Sequence, residues 1–255
     1  IKMNFNASYT CSPLEQFEIY SLIPLRFGSF DISFTNSSLR RFFIVGLLIT
    51  LSLLMGNGNL VPTRWQIVAE GVFGVVYSRV QPMGQKGQVY FPLVFSLFSF
   101  ILTANLLGLV PYSFTVTSHL IVTLTLSRAV WVGKLIIGVR LHGIRLLGRF
   151  RPSGVPLARA PMMVPLELLG FVIPLISLSV RLFANMRAGH ILLKVMAGFA
   201  WTMRRAGGAL WVAHFLPLGV LYLLLFLETG VAMIQAYVFS LLTARYISDV
   251  IEGGH

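Results

Sequence analysis

Acidic residues are scarce in this chain: 8 Asp and Glu stand against 20 Lys and Arg among 255 residues. Charged residues of both signs make up 11%, less than half the usual share of a water-soluble domain, roughly 25%. A soluble globule of this size has too few charges to cover its surface, so a water-soluble enzyme is excluded. A mean hydropathy of +0.81 excludes disorder as well. Cysteine is nearly absent. Cys11 alone cannot close an internal disulfide, and no Cys/His spacing of the metal-binding kind occurs, so no metal and no cofactor are expected. A phosphate-binding glycine-rich loop is missing as well, so the chain shows no sign of nucleotide binding. Internal repeats are missing too, and with them the support for an inverted-repeat transporter. The net charge of +12 does not point to nucleic acid, because the cations are scattered between apolar runs rather than gathered on one polar face. No secretory signal opens the sequence, and a start at Ile1 fits a processed precursor or a trimmed chain alike.

What is present is apolar: 56% of the residues are hydrophobic. The expected fold is an all-α membrane protein with about four to five transmembrane helices, an amphipathic surface helix and a long tilted antiparallel helix hairpin at the end. Three regions are expected. Residues 1–38 form a polar segment with Pro13, Pro24 and the run Thr35-Asn36-Ser37-Ser38. Residues 39–159 hold the first membrane helices, the amphipathic helix and a basic loop. Residues 160–255 form the hairpin.

Within the second region, Phe42 to Met55 is shorter than the roughly 20 residues that cross hydrocarbon. It spans if Arg40 and Arg41 snorkel and Leu39 joins it. Gly56 to Asn59 reads as a turn and residues 63–80 as an amphipathic surface segment. Phe91 to Val110, closed by Pro111, is a span. Leu120 to Val139 is another, with Arg128 and Lys134 inside it. Five arginines then mark 140–159 as a basic loop. The positive-inside rule puts this loop and the 64–86 segment on the matrix or cytoplasmic side. Arg204 and Arg205 then fall on the opposite side, against the rule.

The hairpin carries the chemistry. Two stretches, about 160–202 and 209–247, are each long enough to cover roughly twice the hydrocarbon thickness, so they must be tilted, bent or broken. Ionisable groups inside such helices are expensive and mark function by default. In an antiparallel hairpin turning at Gly207-Gly208, residues at equal depth have numbers that add to about 415. Three polar pairs obey this: Arg181 with Gln235, His190 with Glu228, and Glu167 with Asp249. Arg181, Asn185 and Glu167 fall on one side of an ideal helix, whereas His190 points about 180° away from Arg181. A continuous pore would want all of them on one side; two offset half-paths want this arrangement. Carboxylates and histidine take and release protons. Arginine does not, so a deep arginine is a barrier to protons and a partner for a carboxylate on another chain. The residues describe a device that accepts protons from one side, hands them to a partner's carboxylate and collects them on the other. Blander roles exist for the flanking groups. Glu167 suits a helix N-terminal dipole, Asp249 suits solvent, His214 suits packing, and Arg187 and Lys194 suit snorkelling.

The stretch Ser179-Val180-Arg181-Leu182-Phe183-Ala184-Asn185-Met186-Arg187-Ala188-Gly189-His190 resembles the signature of subunit a of F-type ATP synthases. Ile234 to Phe239 and Leu242 to Asp249 resemble its last helix. Pro111 to His119 and Pro13 to Phe17 are similar to the mitochondrial form, particularly that of plants and algae. The resemblance implies a non-nucleotide-binding, multi-pass subunit of the mitochondrial inner membrane that conducts protons beside a ring of c subunits, other membrane stator subunits and lipids. It implies that Arg181 faces the ring between two half-channels, with the amides Asn185 and Gln235 beside it. It assigns His190 and Glu228 to the intermembrane-space half-channel, Glu167 and Asp249 to the matrix half-channel, and His119 and Asn105 to further polar lining. A stand-alone proton-coupled transporter or channel is the alternative. The sequence departs from the family pattern at Arg187, Lys194, Arg204, Arg205, Arg128 and Lys134, and the extra cations near His190 call for an acid from a partner chain.

Overall fold

The computed structural model describes residues 17–27, 30–31, 33–55, 63–81, 87–110, 114–143, 160–208 and 210–251. The turn expected at 56–59, the closing Pro111, most of the basic loop (144–159), Cys11 and His255 lie outside the described residues.

Before the helices come two small antiparallel pairs. Strand β1 (Ser21–Ile23) pairs with β4 (Phe34–Thr35), and β2 (Arg26–Phe27) pairs with β3 (Phe30–Asp31) between them. The polar reading of residues 1–38 did not foresee this nested hairpin. Helix α1 (Asn36–Met55) starts ahead of the apolar run. The reason is local: Thr35 Oγ1 accepts from the Ser38 amide and Asn36 Oδ1 from the Ser37 amide, so the polar run serves as the helix cap. The helix thereby reaches spanning length over Asn36–Leu53. Its arginines are tied to protein as well. Arg40 Nε donates to the Phe114 carbonyl at 3.2 Å and Arg41 Nε to the Ser37 carbonyl at 3.4 Å.

Helix α2 (Arg64–Val80) is capped by Thr63, whose hydroxyl accepts from the Gln66 amide. It buries one edge, Val76 and Val80, and leaves Ile67, Val68 and Phe73 exposed, as an amphipathic element should. Helix α3 (Phe91–Gly108) opens with Pro92 in its first turn and buries Val94, Phe98, Ile101, Ala104, Asn105 and Gly108 along one stripe. A 3₁₀ turn at Val116–Ser118 leads into α4 (Leu120–His142), which ends at Gly143 with φ +56°. The expected basic loop therefore starts later than residue 140: Arg140 and Leu141 still belong to the helix.

Helix α5 (Ala160–Ala206) runs for 47 residues, about 70 Å at 1.5 Å per residue. Gly207 and Gly208 then turn the chain at φ +70° and +62°, a left-handed pair that side chains with a Cβ resist. The return is a single turn, α6 (Leu210–Ala213), followed by α7 (Phe215–Ile251). The break at His214 has a cause in the sequence: Pro217 has no amide proton, and its ring clashes with the carbonyl four residues earlier, that of Ala213.

The core joins Val76, Val94, Ile101, Leu182, Phe239 and Ile247 from α2, α3, α5 and α7, with Ile137 from α4. On α7 five of the buried positions are small or hydroxylic, Ala232, Ala236, Ser240, Thr243 and Ala244, which lets helix backbones approach closely in lipid. The hydroxyls return to their own helix: Ser240 Oγ donates to the Tyr237 carbonyl and Thr243 Oγ1 to the Phe239 carbonyl. Outward, large apolar side chains such as Leu53, Ile121, Leu216 and Phe226 are more than two-thirds exposed, a surface that suits hydrocarbon. Among the described residues, four helical stretches are long and apolar enough to cross a membrane: Asn36–Leu53, Phe91–Gly108, Leu120–Leu141 and Trp211–Ile251.

Candidate functional site

The register of the α5–α7 hairpin comes from its turn and from the equal rise of its two arms. It sets Gly189 against Glu228 so closely that a Cβ on Gly189 would lie 2.6 Å from the Glu228 carboxyl carbon. Glycine is needed here because the carboxylate occupies the space of a side chain. Glu228 is buried, and neither of its carboxylate oxygens has a hydrogen-bond partner among the described residues. Beside it lies a cavity of about 260 Å³ lined by Asn185, Gly189, Leu192, Leu224, Glu228 and Val231. Asn185 and Arg181 are one turn apart and share that side of α5. Arg181 is exposed and makes no hydrogen bond or ion pair with the described residues. Gln235, two turns beyond Glu228 on α7, is buried.

His190 lies one residue beyond Gly189 but turns to another face of α5. It is buried with Nε2 unpartnered, beside the Gly108 backbone, and its ring meets Phe17 edge-on with centroids 6.4 Å apart. The hairpin thus brings His190 and Glu228 to one depth, and no hydrogen bond joins them. Asn105 is wholly buried; its Nδ2 donates to the Ala232 carbonyl at 3.3 Å and its Oδ1 is unpartnered. His119 stacks on Phe114 with centroids 5.0 Å apart, and its Nε2 is also unpartnered. Burial lowers the His119 pKa below the ordinary histidine value, and the Arg187 charge lowers it further. Arg187→Gln is therefore expected to move the His119 titration upward, while burial still keeps it below the ordinary value. NMR titration of labelled histidine checks the direction.

At the other end of the hairpin, Asp249 is exposed and close enough to Tyr246 for its charge to act on the phenol. Glu167 belongs to α5, but its side chain lies outside the described residues. The geometry therefore leaves the expected Glu167–Asp249 pair open. A second cavity, about 190 Å³, opens between α3, α4 and α7, where Lys134 Nζ stands 4.7 Å from the Tyr246 ring centroid.

Four of the six cations that depart from the family pattern, Lys134, Arg187, Arg204 and Arg205, meet aromatic rings. Lys134 sits on Tyr246, Arg187 between Phe17 and Phe183, and Arg204 on Trp201 at 4.4 Å; Arg79 likewise sits on Tyr237. In a chain this poor in acids, aromatic faces give cations a further kind of partner. The sequence reading missed Gly189 and Phe17 as parts of the site. The signal for Gly189 was a small residue next to His190. For Phe17 it was a ring in an otherwise polar segment.

Fold and site together define a polytopic helical membrane protein that holds ionisable groups at several depths between its helices. Comparison with known proteins gives the family. The profile described as "ATP synthase A chain" matches residues 39–248. ATP synthase subunit a of Chondrus crispus is 45% identical over 245 residues, covering 94% of this chain and 96% of the relative. That of Marchantia polymorpha is 44% identical over 248 residues, covering 95% and 98%. That of the bacterium Parvibaculum lavamentivorans is 45% identical over 251 residues, covering 97% and 96%. The chain belongs to the ATP synthase A chain family, and with it to the membrane proteins of proton transport and ATP synthesis.

Proposed function

We propose that this chain is the proton-conducting stator subunit of a rotary F-type ATP synthase, set in a mitochondrial inner membrane beside a ring of c subunits and further membrane stator subunits. The observation that carries the reading is Glu228: a buried carboxyl with no fixed partner, at the wall of a cavity shared with Asn185. No ion pair with a described residue holds this group in one protonation state, so it can load and unload a proton. Protons enter by way of His190 and Glu228, with His119 and Asn105 as further polar lining. They pass to a carboxylate of the ring, and after rotation they leave past Glu167 and Asp249. Arg181, with Asn185 and Gln235 beside it, keeps the two half-channels apart. The three regions divide the labour: 160–255 holds the path, 39–159 supports it in lipid, and Phe17 of the 1–38 segment packs against it. The driving force is about 2.3 kcal/mol per proton per 100 mV, to which the pH difference adds. ATP chemistry stays with other subunits.

The test is proton-driven ATP synthesis by the whole complex in vesicles. Glu228→Gln keeps shape and removes the titratable group, and is expected to cut synthesis about 100-fold or more, the scale of a lost acid–base group. A rate equal to wild type would remove Glu228 from the path.

A further inference from the structure

Phe17 lies outside the stretch that the family profile covers, which begins at residue 39. It is 7% exposed, while residues 18–25 after it are exposed. An exposed length of chain therefore sinks one ring into the helix bundle. That ring meets two groups at once. Its centroid lies 5.3 Å from the Arg187 guanidinium carbon, and it makes a T-shaped contact with the His190 imidazole, with an angle of 76° between the planes. Phe183 holds the same guanidinium from a second position at 5.5 Å. Phe183, Arg187, His190 and Lys194 recur at helical spacing and line one face of α5. The cavity residues Asn185 and Gly189 point away from it.

A permanent cation one turn from a proton-carrying imidazole needs a fixed place. Arginine stays charged at every working pH. A guanidinium free to approach His190 would repel the proton that the ring has to accept. Within the described part of α5 no Asp or Glu can restrain it, because the sequence from 168 to 227 contains neither. We infer that Phe17 is a positioning residue of the proton path: together with Phe183 it fixes Arg187 by contact with its ring face and keeps the guanidinium off His190. The N-terminal segment is on this account a working part of the path.

The inference rests on His190 carrying protons. In the whole complex reconstituted in vesicles, Phe17→Leu keeps an apolar side chain and removes the aromatic face. Proton-driven ATP synthesis per assembled complex is expected to fall about three- to tenfold, the size that one cation–aromatic contact supports. Phe17→Trp is expected to keep the rate. Arg187→Gln alone is expected to leave it near wild type, and combining it with Phe17→Leu is expected to restore the rate, since the guanidinium that the ring held is gone while Lys194 is unchanged in all variants. A defect that persists in the double variant is a packing defect and overturns the inference, as does an undiminished rate in Phe17→Leu. If Phe17→Leu assembles only in the Arg187→Gln background, the inference stands; if it assembles in neither, the ring is structural and the inference falls. His190→Ala is measured alongside. An unimpaired rate there removes the parent reading, whereas a lost rate together with a normal Phe17→Leu removes this inference alone.

Discussion

Arg181→Ala is expected to abolish proton-driven ATP synthesis, by about 100-fold or more, and at the same time to raise the passive proton conductance of the membrane. The two effects have one cause. Arg181 stands exposed on α5, on the side that Asn185 shares and His190 does not. Nothing among the described residues neutralises it. A fixed positive charge facing the ring has two consequences: it favours the ionised form of a carboxylate brought near it, and it repels a proton moving straight from one inlet to the other. Alanine removes both, so the ring loses its release signal and the barrier goes. Arg181→Lys keeps a charge but presents a group that can shed its proton when desolvated. It is expected to restore part of the barrier and little of the synthesis. The measurements are ATP formed after an imposed pH and potential step, and dye-reported proton flux with no ADP present. Wild-type synthesis in Arg181→Ala would end the mechanism. Lost synthesis with a tight membrane would leave Arg181 a role at the ring and remove its role as barrier.

Gly189→Val is expected to lower synthesis about 10- to 100-fold without touching any ionisable group. A Cβ at position 189 has no room beside the Glu228 carboxyl group. Overpacking of this kind costs about 1–3 kcal/mol, and here it is relieved by pushing the carboxylate out of its slot. Gly198→Ala is the control on the same helix, because a Cβ there meets nothing within 4 Å, and it is expected to be silent. Gly189→Ala combined with Glu228→Asp, whose side chain is one methylene shorter, is expected to recover part of what Gly189→Ala loses. Failure of Gly189→Val to reduce synthesis would show that Glu228 works from another position.

The hairpin register was legible because it needs only a turn and equal rise on both arms. Gly189 with Glu228, Asn185 with Val231 and Leu192 with Leu224 line one cavity, as that arithmetic requires. The spans were legible from apolar runs alone. Their ends were not: α1 begins early because Thr35 and Asn36 cap it, and α4 continues through Arg140 because a helical residue facing outward tolerates charge. The break at His214 was foreseen only in general form, although Pro217 is in plain view. Side-chain direction was half legible. Periodicity put His190 and Arg181 on opposite sides, but it could not say that His190 meets Phe17 from a segment about 170 residues earlier. Contacts of that sort depend on tertiary placement, and so does the seating of Arg187 and Lys134 on aromatic rings.

Helix α5 carries Arg181, Arg187 and Lys194 along its length, and this bears on how the chain enters the bilayer during synthesis. A charged residue at the centre of an inserting helix costs about 2.5–3.5 kcal/mol on the translocation scale. Arg181, Arg187 and Lys194 therefore oppose lateral release of that helix on its own. Helix α7 is strongly apolar, and the two glycines bring it straight back alongside. The natural unit of insertion is the pair, so a ribosome stalled before residue 210 should hold a nascent chain whose fifth helix has not yet left the translocation machinery.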